Sequence, residues 1–441
     1  MRFGRGIGAT FLFVLGGVAP SLGQTNPLTV EDCIRLALRA PSAVTLAQQD
    51  IRSASYGVTA ARSALLPQAQ WGNGFVYNSP PLTGSQGITG TVGGTPGTQN
   101  IGSFVALNGI REYQSLVSTT LEIDTSGRLR AALARARANQ EIASADLAIA
   151  QRDLKRAVAV AYYQLLLARL LVKANQDVLT EAQAFADRTR TLSEAGEVAR
   201  ADMVKANSQV AFFRQTLDSA QLDEKVANAN LASFWTDVVD QDLPLAGQLE
   251  NPPKPPEEAV SIPKPYLRRF EFNLLDAQEK GFRADYRNEI AQLLPQLSFT
   301  FEYGIDANRV AWRDRGYAFL ASLNVPVFDW FRAHSLAVAA RTQAEQVETN
   351  REITQRSFSR DYQIALMRVR QLYGQIGLTE DQVKTSEENL NMAHIRYEGG
   401  EGPALDVVAA QTQLAQARSN YGVALAGYAN ALADLEVTSG R

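Results

Sequence analysis

Apolar side chains recur every seventh residue along two long stretches of the chain, which is the pattern of coiled-coil helices. In the second stretch the repeating positions are Tyr362, Val369, Ile376, Val383, Leu390 and Tyr397, and beyond Gly400 they are Val407, Leu414, Tyr421, Tyr428 and Leu435. The same positions 204 residues earlier are Val158, Leu165, Val172, Leu179 and Ala186, then Met203, Val210, Leu217 and Leu231, with Glu224 as a charged exception. The spacing predicts in each half one helix of about 65 residues, ~100 Å long, followed by an antiparallel return helix.

Ahead of each long helix the apolar period changes from seven to two. In the second half Leu297, Phe299 and Phe301 alternate with polar residues, and the first half has a similar stretch. Alternation of this kind is typical of β-strands. The pattern predicts two β-hairpins, at about 68–124 and 296–328.

Two environments suit these strands equally well by pattern alone. Strands of about ten residues with one apolar and one polar face fit an outer-membrane barrel, or a half-buried hairpin of a soluble sheet. Glu122 and Glu302 fall on the polar face, which would line a lumen; there they either tune ion passage or are simply solvated. Aromatic residues at the strand ends and an N-terminal export signal favour the membrane.

The chain is an internal duplication. Leu65–Gln68 returns as Leu293–Gln296, 228 positions later. Glu194, Gly196, Glu197 and Asp202 return as Glu398, Gly400, Glu401 and Asp406, 204 positions later in every case. The first half is longer because of a stretch from Pro80 to Gly102 that is rich in Gly, Thr, Ser and Pro, and we expect it to form a long exposed loop at the cell surface.

The repeats predict four regions. They are a signal peptide at 1–23, a first structural repeat at 24–242, a proline-rich linker at 243–265 and a second structural repeat at 266–441. Each repeat should contain a helix, a β-hairpin and a helical hairpin, the last at about 128–240 and 332–437. Beyond the signal peptide we expect no apolar stretch long enough for a membrane-spanning helix.

The composition of the chain argues against several classes of function. The chain has 43 basic and 46 acidic side chains and a formal net charge of −3, so it offers no basic surplus for nucleic acid. One cysteine, Cys33, and two histidines cannot build a disulfide framework or a structural zinc site. No nucleophile elbow, phosphate-binding loop or metal-ligand cluster appears in the sequence. We therefore expect no enzymatic activity, no cofactor and no metal site.

Strands that cross lipid would require several copies of the chain. An open sheet edge in hydrocarbon leaves backbone groups unpaired at several kcal/mol each. The smallest outer-membrane barrels have about eight strands, whereas two hairpins supply only four. The chain is therefore expected to be a ring-forming oligomer.

Several ordered segments together resemble the outer membrane efflux proteins, the TolC-like exit ducts. They are Leu28–Leu38, the two Leu-Leu-Pro-Gln strand entries, Val325–Asp329, Arg396–Gly400 and Leu405–Val408. The resemblance implies a mainly α fold with a β-barrel part: long antiparallel coiled-coil helices forming an α-barrel, and four transmembrane strands per chain in a trimeric twelve-stranded barrel. The linker would then contribute to an equatorial region at mid-height.

The resemblance also implies a location, a function and partners. Such a homotrimer lies in outer-membrane lipid and extends into the periplasm, and it works with a periplasmic adaptor (membrane fusion) protein and an inner-membrane transporter. We therefore expect a passive outer-membrane exit duct of a tripartite efflux pump or type I secretion system. The alternative is a soluble periplasmic coiled-coil scaffold or adaptor protein, which would need no detergent for extraction and would conduct no ions.

The resemblance places candidate gate residues at the helical tips. Asp202 and Tyr397 correspond to a pair that hydrogen-bonds at the closed tip, and Asp406 corresponds to an acidic ring at the entrance. Gly196, Glu197, Gly400 and Glu401 lie in the turns expected to contact the adaptor. Ala409 and Gly402 stand where some family members carry an aspartate and an arginine, so a double acidic ring and an arginine lock are not expected.

Simpler roles remain open for the same residues. Asp202 and Asp406 fall in the first turn of their return helices, where a carboxylate is stabilised by about 0.3 to 1 kcal/mol. Gly196 and Gly400 are expected to end helices in the left-handed backbone region. Cys33 is expected to be a packed thiol in an amphipathic opening helix.

Overall fold

The computed structural model describes residues 27–77, 111–247, 249–256, 263–307 and 309–440. Its helices are α1 Val30–Arg39, α2 Ala43–Ser63, α3 Arg128–Glu194, α4 Arg200–Ala232, α5 Phe270–Ala291, α6 Arg332–Glu398 and α7 Ala404–Thr438. Its strands are β1 Gln68–Tyr77, β2 Arg111–Ile123, β3 Gln296–Ala307 and β4 Arg315–Asn324, and short 3₁₀ helices occupy Pro265–Arg268 and Trp312–Asp314. The signal peptide expected at 1–23 and the loop expected at 80–102 lie outside the described residues.

The long helices and their return helices begin at a constant offset in the two repeats. α3 and α6 each contain 67 residues and start 204 positions apart, and α4 and α7 start at the same separation. The predicted coiled-coil helices are confirmed, since the seam residues Leu165, Val369 and Leu414 are buried. The charged exception in the seam, Glu224, is paired: Nε of Arg169 lies 3.2 Å from its carboxylate.

The described residues form two compact units, and each unit takes segments from both repeats. Unit one comprises the residues up to Leu36 together with 161–252 and 379–426. Unit two comprises residues 37–160, 253–378 and 427 onward, and it contains the β-sheet. The units therefore do not coincide with the two structural repeats expected from the sequence.

The core of unit one joins the repeats. One apolar cluster combines Phe185, Ala186 and Ala206 with Leu390, Ala393, Tyr397, Ala404, Val407, Ala410 and Leu414. The opening and linker segments of unit one are also tied together. The Tyr162 hydroxyl donates to the Leu28 carbonyl at 3.2 Å and accepts from the Gly247 N–H at 3.0 Å. Cys33 is fully buried, and burial raises the pKa of its thiol to about 11.

Unit two contains a buried ion-pair network. Arg152 is only 8% exposed, and its Nη1 lies 2.9 Å from both carboxylate oxygens of Glu271. Arg269 donates to the same carboxylate at 2.6 Å and stacks over the Phe358 ring. Burial raises the pKa of Glu271, but the hydrogen bond and charge of Arg269 and the charge of Arg152 outweigh it, so this pKa lies below its usual range.

The sheet is antiparallel throughout, in the order β1–β2–β3–β4, so that β2 and β3 join the two hairpins. Side chains directly opposite each other share a face. One cross-strand row is Trp71, Val117, Tyr303 and Tyr317, and the neighbouring row on the other face is Gln70, Ser118, Glu302 and Ala318. The predicted division into an apolar and a polar face is thus present, and β1 and β4 are the edges of the sheet.

Three element boundaries differ from the expectation. The opening helix is two helices, because Pro41 has no N–H and restricts the residue before it. α4 ends at Ala232 rather than near 240. The segment that follows folds back onto the helix, where the Asn228 side chain donates to the Gln241 carbonyl and accepts from the Leu243 N–H. β4 ends at Asn324, shortly before Pro326, which cannot donate to a strand ladder.

One helix is more apolar than expected from the sequence. α3 contains an 18-residue window that, by length and mean hydropathy alone, is apolar enough to cross a membrane, and 33% of that window is buried inside the chain. Core helices of soluble proteins carry such windows as well.

Candidate functional site

The first candidate turn connects α3 to α4. Gly196 has a φ of 78°, in the left-handed region that favours glycine. Its N–H donates to the Ser193 carbonyl at 3.1 Å, and the Glu197 N–H donates to the Leu192 carbonyl at 2.9 Å. These two bonds are those of a Schellman helix end, so Gly196 ends the helix as expected.

The second turn, between α6 and α7, repeats this geometry. Gly400 has a φ of 74°, its N–H donates to Tyr397 at 3.1 Å, and the Glu401 N–H donates to the Arg396 carbonyl at 2.9 Å. Every donor and acceptor lies 204 positions after its counterpart in the first turn. Both glycines and both glutamates of the turns are exposed.

Both candidate aspartates lie in the first turn of a return helix. The Asp202 N–H donates to the Ala199 carbonyl at 2.9 Å, and the Asp406 N–H donates to the Pro403 carbonyl at 3.0 Å. Both residues are partly exposed. A carboxylate here is stabilised by the positive end of the helix dipole. The helix-start role is therefore present in the geometry.

Tyr397 belongs to the core rather than to a polar pair. It is 7% exposed, and its ring lies edge-on to Phe185 at 5.1 Å. Its hydroxyl is buried and has no hydrogen-bond partner among the described residues. Within the described residues of one chain, the expected hydrogen bond between Tyr397 and Asp202 is not formed, because apolar packing fixes the ring where the hydroxyl reaches no acceptor.

The second turn also brings in Arg396, the first residue of the Arg396–Gly400 segment. Nη1 of Arg396 lies 3.7 Å from the carboxylate of Asp406. The turn folds Arg396 back towards Asp406, so this pair depends on the Gly400 helix end. Gly402, which stands where some family members have arginine, packs beside the Arg396 side chain.

Polar contacts also join α3 to α6 within unit one. Arg188 lies 2.8 Å from Glu398, and Nε2 of His394 lies 3.5 Å from Glu181. The His394 ring lies edge-on to Phe185 at 5.6 Å. These contacts were not predicted from the sequence, in which the one signal is that Arg188 and Glu398 both lie near the ends of their long helices.

The candidate lumen residues share the polar face of the sheet. Glu302 lies opposite Ser118, and Glu122 lies opposite Ser298 four pairs further along. Nη2 of Arg128 lies 2.5 Å from the Glu122 carboxylate. Among the residues that the structure describes, no three His, Cys, Asp or Glu side chains form a group able to hold a metal ion.

The sequence profile of a family described as outer membrane efflux protein matches residues 33–236 and 267–441. This match covers well over half of the chain. The chain belongs to the outer membrane efflux protein family. The resemblance drawn from the residues is confirmed, as is the expectation of an outer-membrane efflux component that extends into the periplasm. The family is one of outer-membrane efflux proteins rather than of enzymes.

Two relatives of this outer membrane efflux protein have informative names. The pyoverdine export outer membrane protein OpmQ of Pseudomonas putida is 24% identical over 310 residues, which are 69% of this chain and 66% of OpmQ, just under two thirds of its length. The cobalt-zinc-cadmium resistance protein CzcC of Cupriavidus metallidurans is 23% identical over 316 residues, 70% of this chain and 72% of CzcC.

Solved structures share the fold of this efflux protein. The Campylobacter jejuni CmeC outer membrane channel matches with a TM-score of 0.79 at 16% identity, over 93% of this chain and 85% of CmeC. The outer membrane protein VceC of Vibrio cholerae matches with a TM-score of 0.78 at 15% identity, over 93% of this chain and 96% of VceC. The predicted fold class is therefore confirmed.

Proposed function

We propose that three copies of this chain enclose one water-filled exit duct through which solutes pass passively. The observation that carries the proposal is a four-stranded sheet with one apolar face, one polar face and two open edges. In hydrocarbon each unpaired edge costs several kcal/mol per backbone group. Pairing β4 of one copy with β1 of the next closes a ring without any edge, with the polar face inward.

The two helical turns are the proposed gate. Asp202 and Asp406 are partly exposed carboxylates at equivalent helix starts, and Tyr397 is packed directly behind the second turn. Repeated around a threefold axis, the aspartates would narrow the entrance with negative charge. Tyr397 is proposed to act by fixing the turn through packing, or through a hydrogen bond that its hydroxyl makes only in the trimer.

The exposed turn residues Gly196, Glu197, Gly400 and Glu401 are the proposed contact for a periplasmic adaptor, through which an inner-membrane transporter supplies the energy. A wide duct needs no specific binding pocket for its cargo. This fits relatives whose names mention pyoverdine in one case and cobalt, zinc and cadmium in another.

The test of the duct is the native mass of the protein extracted from outer membranes, with and without detergent. We expect extraction to need detergent, the mass to be that of a trimer, and planar bilayers to show ion conductance. A monomer extracted without detergent would contradict the duct and favour a periplasmic scaffold.

The test of the gate compares conductance of single ducts. Asp202→Ala and Tyr397→Ala are expected to raise the conductance by loosening the closed tip, whereas Asp218→Ala, an exposed aspartate further along α4, should leave it unchanged. Unchanged conductance in both gate variants would remove the assignment while leaving the duct intact.

A further inference from the structure

Three aromatic side chains lie together in the turn between β4 and α6. The Phe328 ring centroid lies 4.8 Å from that of Trp330 and 6.1 Å from that of Phe331. All three rings are exposed, and Trp330 is 83% exposed. Residues 328–331 are called the aromatic turn below. The Asp329 carboxylate, in contrast, accepts a hydrogen bond from the Ala333 N–H at 2.8 Å and starts α6.

The backbone of the aromatic turn is one that favours glycine. Trp330 and Phe331 have φ values of 55° and 61°, and the Arg332 N–H donates to the Asp329 carbonyl at 3.2 Å. Positive φ at both central residues together with this bond is typical of a type I′ turn, in which Gly and Asn dominate. Bulky residues are strained there.

The first repeat begins its long helix without this strain. Gly127, the counterpart of Phe331, has a φ of 83°. The Ala131 N–H donates to the Gly127 carbonyl at 2.9 Å, as the Ser335 N–H does to the Phe331 carbonyl at 2.9 Å. Starting the helix therefore does not require an aromatic residue. Strained and exposed aromatic side chains point to a contact outside the chain.

An apolar stripe leads from the sheet to the aromatic turn. Its exposed members on β4 and beyond are Tyr317, Phe319, Leu323, Val325 and Val327. Tyr317, Phe319 and Leu323 alternate along β4 and belong to its apolar face, and Val325 and Val327 follow the strand at the same spacing of two. A strand of about ten residues spans the hydrocarbon core, so the aromatic turn follows where the chain leaves it. Aromatic residues, and Trp and Tyr most of all, are enriched at this depth, between headgroups and acyl chains.

We infer that the aromatic turn is a membrane anchor, in which Phe328, Trp330 and Phe331 insert at the headgroup boundary of the periplasmic leaflet. The inference rests on the proposed duct, because it needs β4 to cross the membrane. It assigns the anchor to the second repeat alone, since the first repeat has Asp124, Thr125, Ser126 and Gly127 at the equivalent positions.

The test is fluorescence quenching of Trp330 in protein reconstituted into phosphatidylethanolamine bilayers. The other tryptophans, Trp71, Trp235 and Trp312, are replaced by Phe, so that Trp330 alone reports. Bromine is placed either near the glycerol end or near the methyl end of the acyl chains. We expect strong quenching by the first lipid, weaker quenching by the second, and little quenching by aqueous iodide.

Two single-tryptophan controls separate the possible failures. Trp71 lies on the apolar face of β1 and should be quenched by both brominated lipids, and Trp235 of unit one by neither. If Trp71 is not quenched, the strands do not cross lipid and the duct itself is wrong. If the lipids quench Trp71 but not Trp330, only the anchor is wrong. Quenching of Trp330 by iodide would then place the turn in water. No quenching of Trp330 by iodide would place the turn against a second copy.

A second variant needs only one substitution. Trp330→Phe keeps an aromatic ring, and the difference between its emission and that of the unmodified protein reports Trp330. The anchor is supported if this difference in emission is quenched strongly by the lipid with bromine near the glycerol end and less by the other lipid. The anchor is overturned if neither lipid quenches the difference in emission.

Discussion

The two helical turns have the same backbone and different chemistry. Gly196 and Gly400 end their helices with the same pair of hydrogen bonds, 204 residues apart. Yet Ser193 in the first turn corresponds to the buried Tyr397 in the second, and Leu192 corresponds to Arg396. The glycine and the heptad seams fix the path of the chain, so the neighbouring side chains were free to diverge. Differences between the repeats are therefore the best guide to what each turn does.

The largest expected difference between the turns concerns the core. Tyr397→Ala empties a buried aromatic site and should lower the free energy of unfolding by about 3 kcal/mol or more. Ser193→Ala, at the equivalent position, should change it by about 0.5 kcal/mol or less. Guanidinium unfolding of the protein in detergent, followed by circular dichroism, measures both; equal losses would mean that the turns are equivalent after all.

Tyr397→Phe sharpens the same comparison. The hydroxyl has no partner in the described residues of one chain, so its removal should cost no stability. A loss of about 1 kcal/mol or more would reveal a hydrogen bond that forms only between copies.

The repeats also differ at Arg152 and its counterpart Arg356. Arg152→Gln leaves the Glu271 carboxylate partly buried without one of its two arginines, and we expect a loss of about 3 kcal/mol in the free energy of unfolding. Arg356 is exposed, so Arg356→Gln should change this free energy by about 0.5 kcal/mol or less. Thermal melts at neutral pH test the pair, and similar melting temperatures for both variants would contradict a structural role for the network.

The network of Arg152, Arg269 and Glu271 also predicts that the stability of the protein depends on pH. Because the pKa of Glu271 is lower in the folded chain than in the unfolded one, its stabilisation is complete above the unfolded pKa, about 4.5. It is lost as the pH falls through the folded pKa. Glu271→Gln should therefore flatten the acidic limb of a plot of melting temperature against pH; an unaltered limb would mean that other carboxylates produce it.

A reciprocal pair of substitutions tests the strand-to-helix turns. Phe331→Gly should relieve the left-handed strain and raise the free energy of unfolding by about 1 kcal/mol. Gly127→Ala should lower it by a similar amount, purely through the backbone, since a Cβ at Gly127 meets nothing within 4 Å. Urea unfolding in detergent measures both, and changes of the same sign would break the comparison.

The smallest effect is expected at the Arg396–Asp406 pair. Both side chains are well exposed, so Arg396→Gln should cost about 0.5 kcal/mol or less. Any loss should shrink as salt is added. A melting series in rising sodium chloride checks this, with Arg188→Gln as the matched exposed pair; a salt-independent loss would point to packing instead.

Most of the fold could be predicted because it depends on local repetition. The heptad seams and the glycines at 196 and 400 fixed the long helices, and alternation fixed the strands and their faces. Pro41 also carried a readable signal for the break between α1 and α2. No sequence pattern indicated the two compact units, because these depend on how the repeats pack against each other.

The candidate site was less predictable. Its residues lie at the turns between the long helices and their return helices, as the repeats predicted, but the neighbours of each side chain depend on packing between repeats. Tyr397 falls on a heptad seam, which already favoured burial over a polar contact. The pairing of Arg396 with Asp406 needed the turn geometry. The positive φ values of Trp330 and Phe331 have no local signal at all, because neither residue type favours that region.

The open edges of the sheet have a consequence for assembly in the proposed trimer. β1 and β4 are different surfaces, so each junction of the ring joins unlike edges, and an incomplete ring always keeps one of each exposed. A single chain or a pair of chains is then an intermediate with unpaired strand edges. Such an intermediate can also bind a defective copy. The yield of complete rings should therefore fall steeply when chains are scarce, and a copy with a damaged edge should disable the intact copies that it joins.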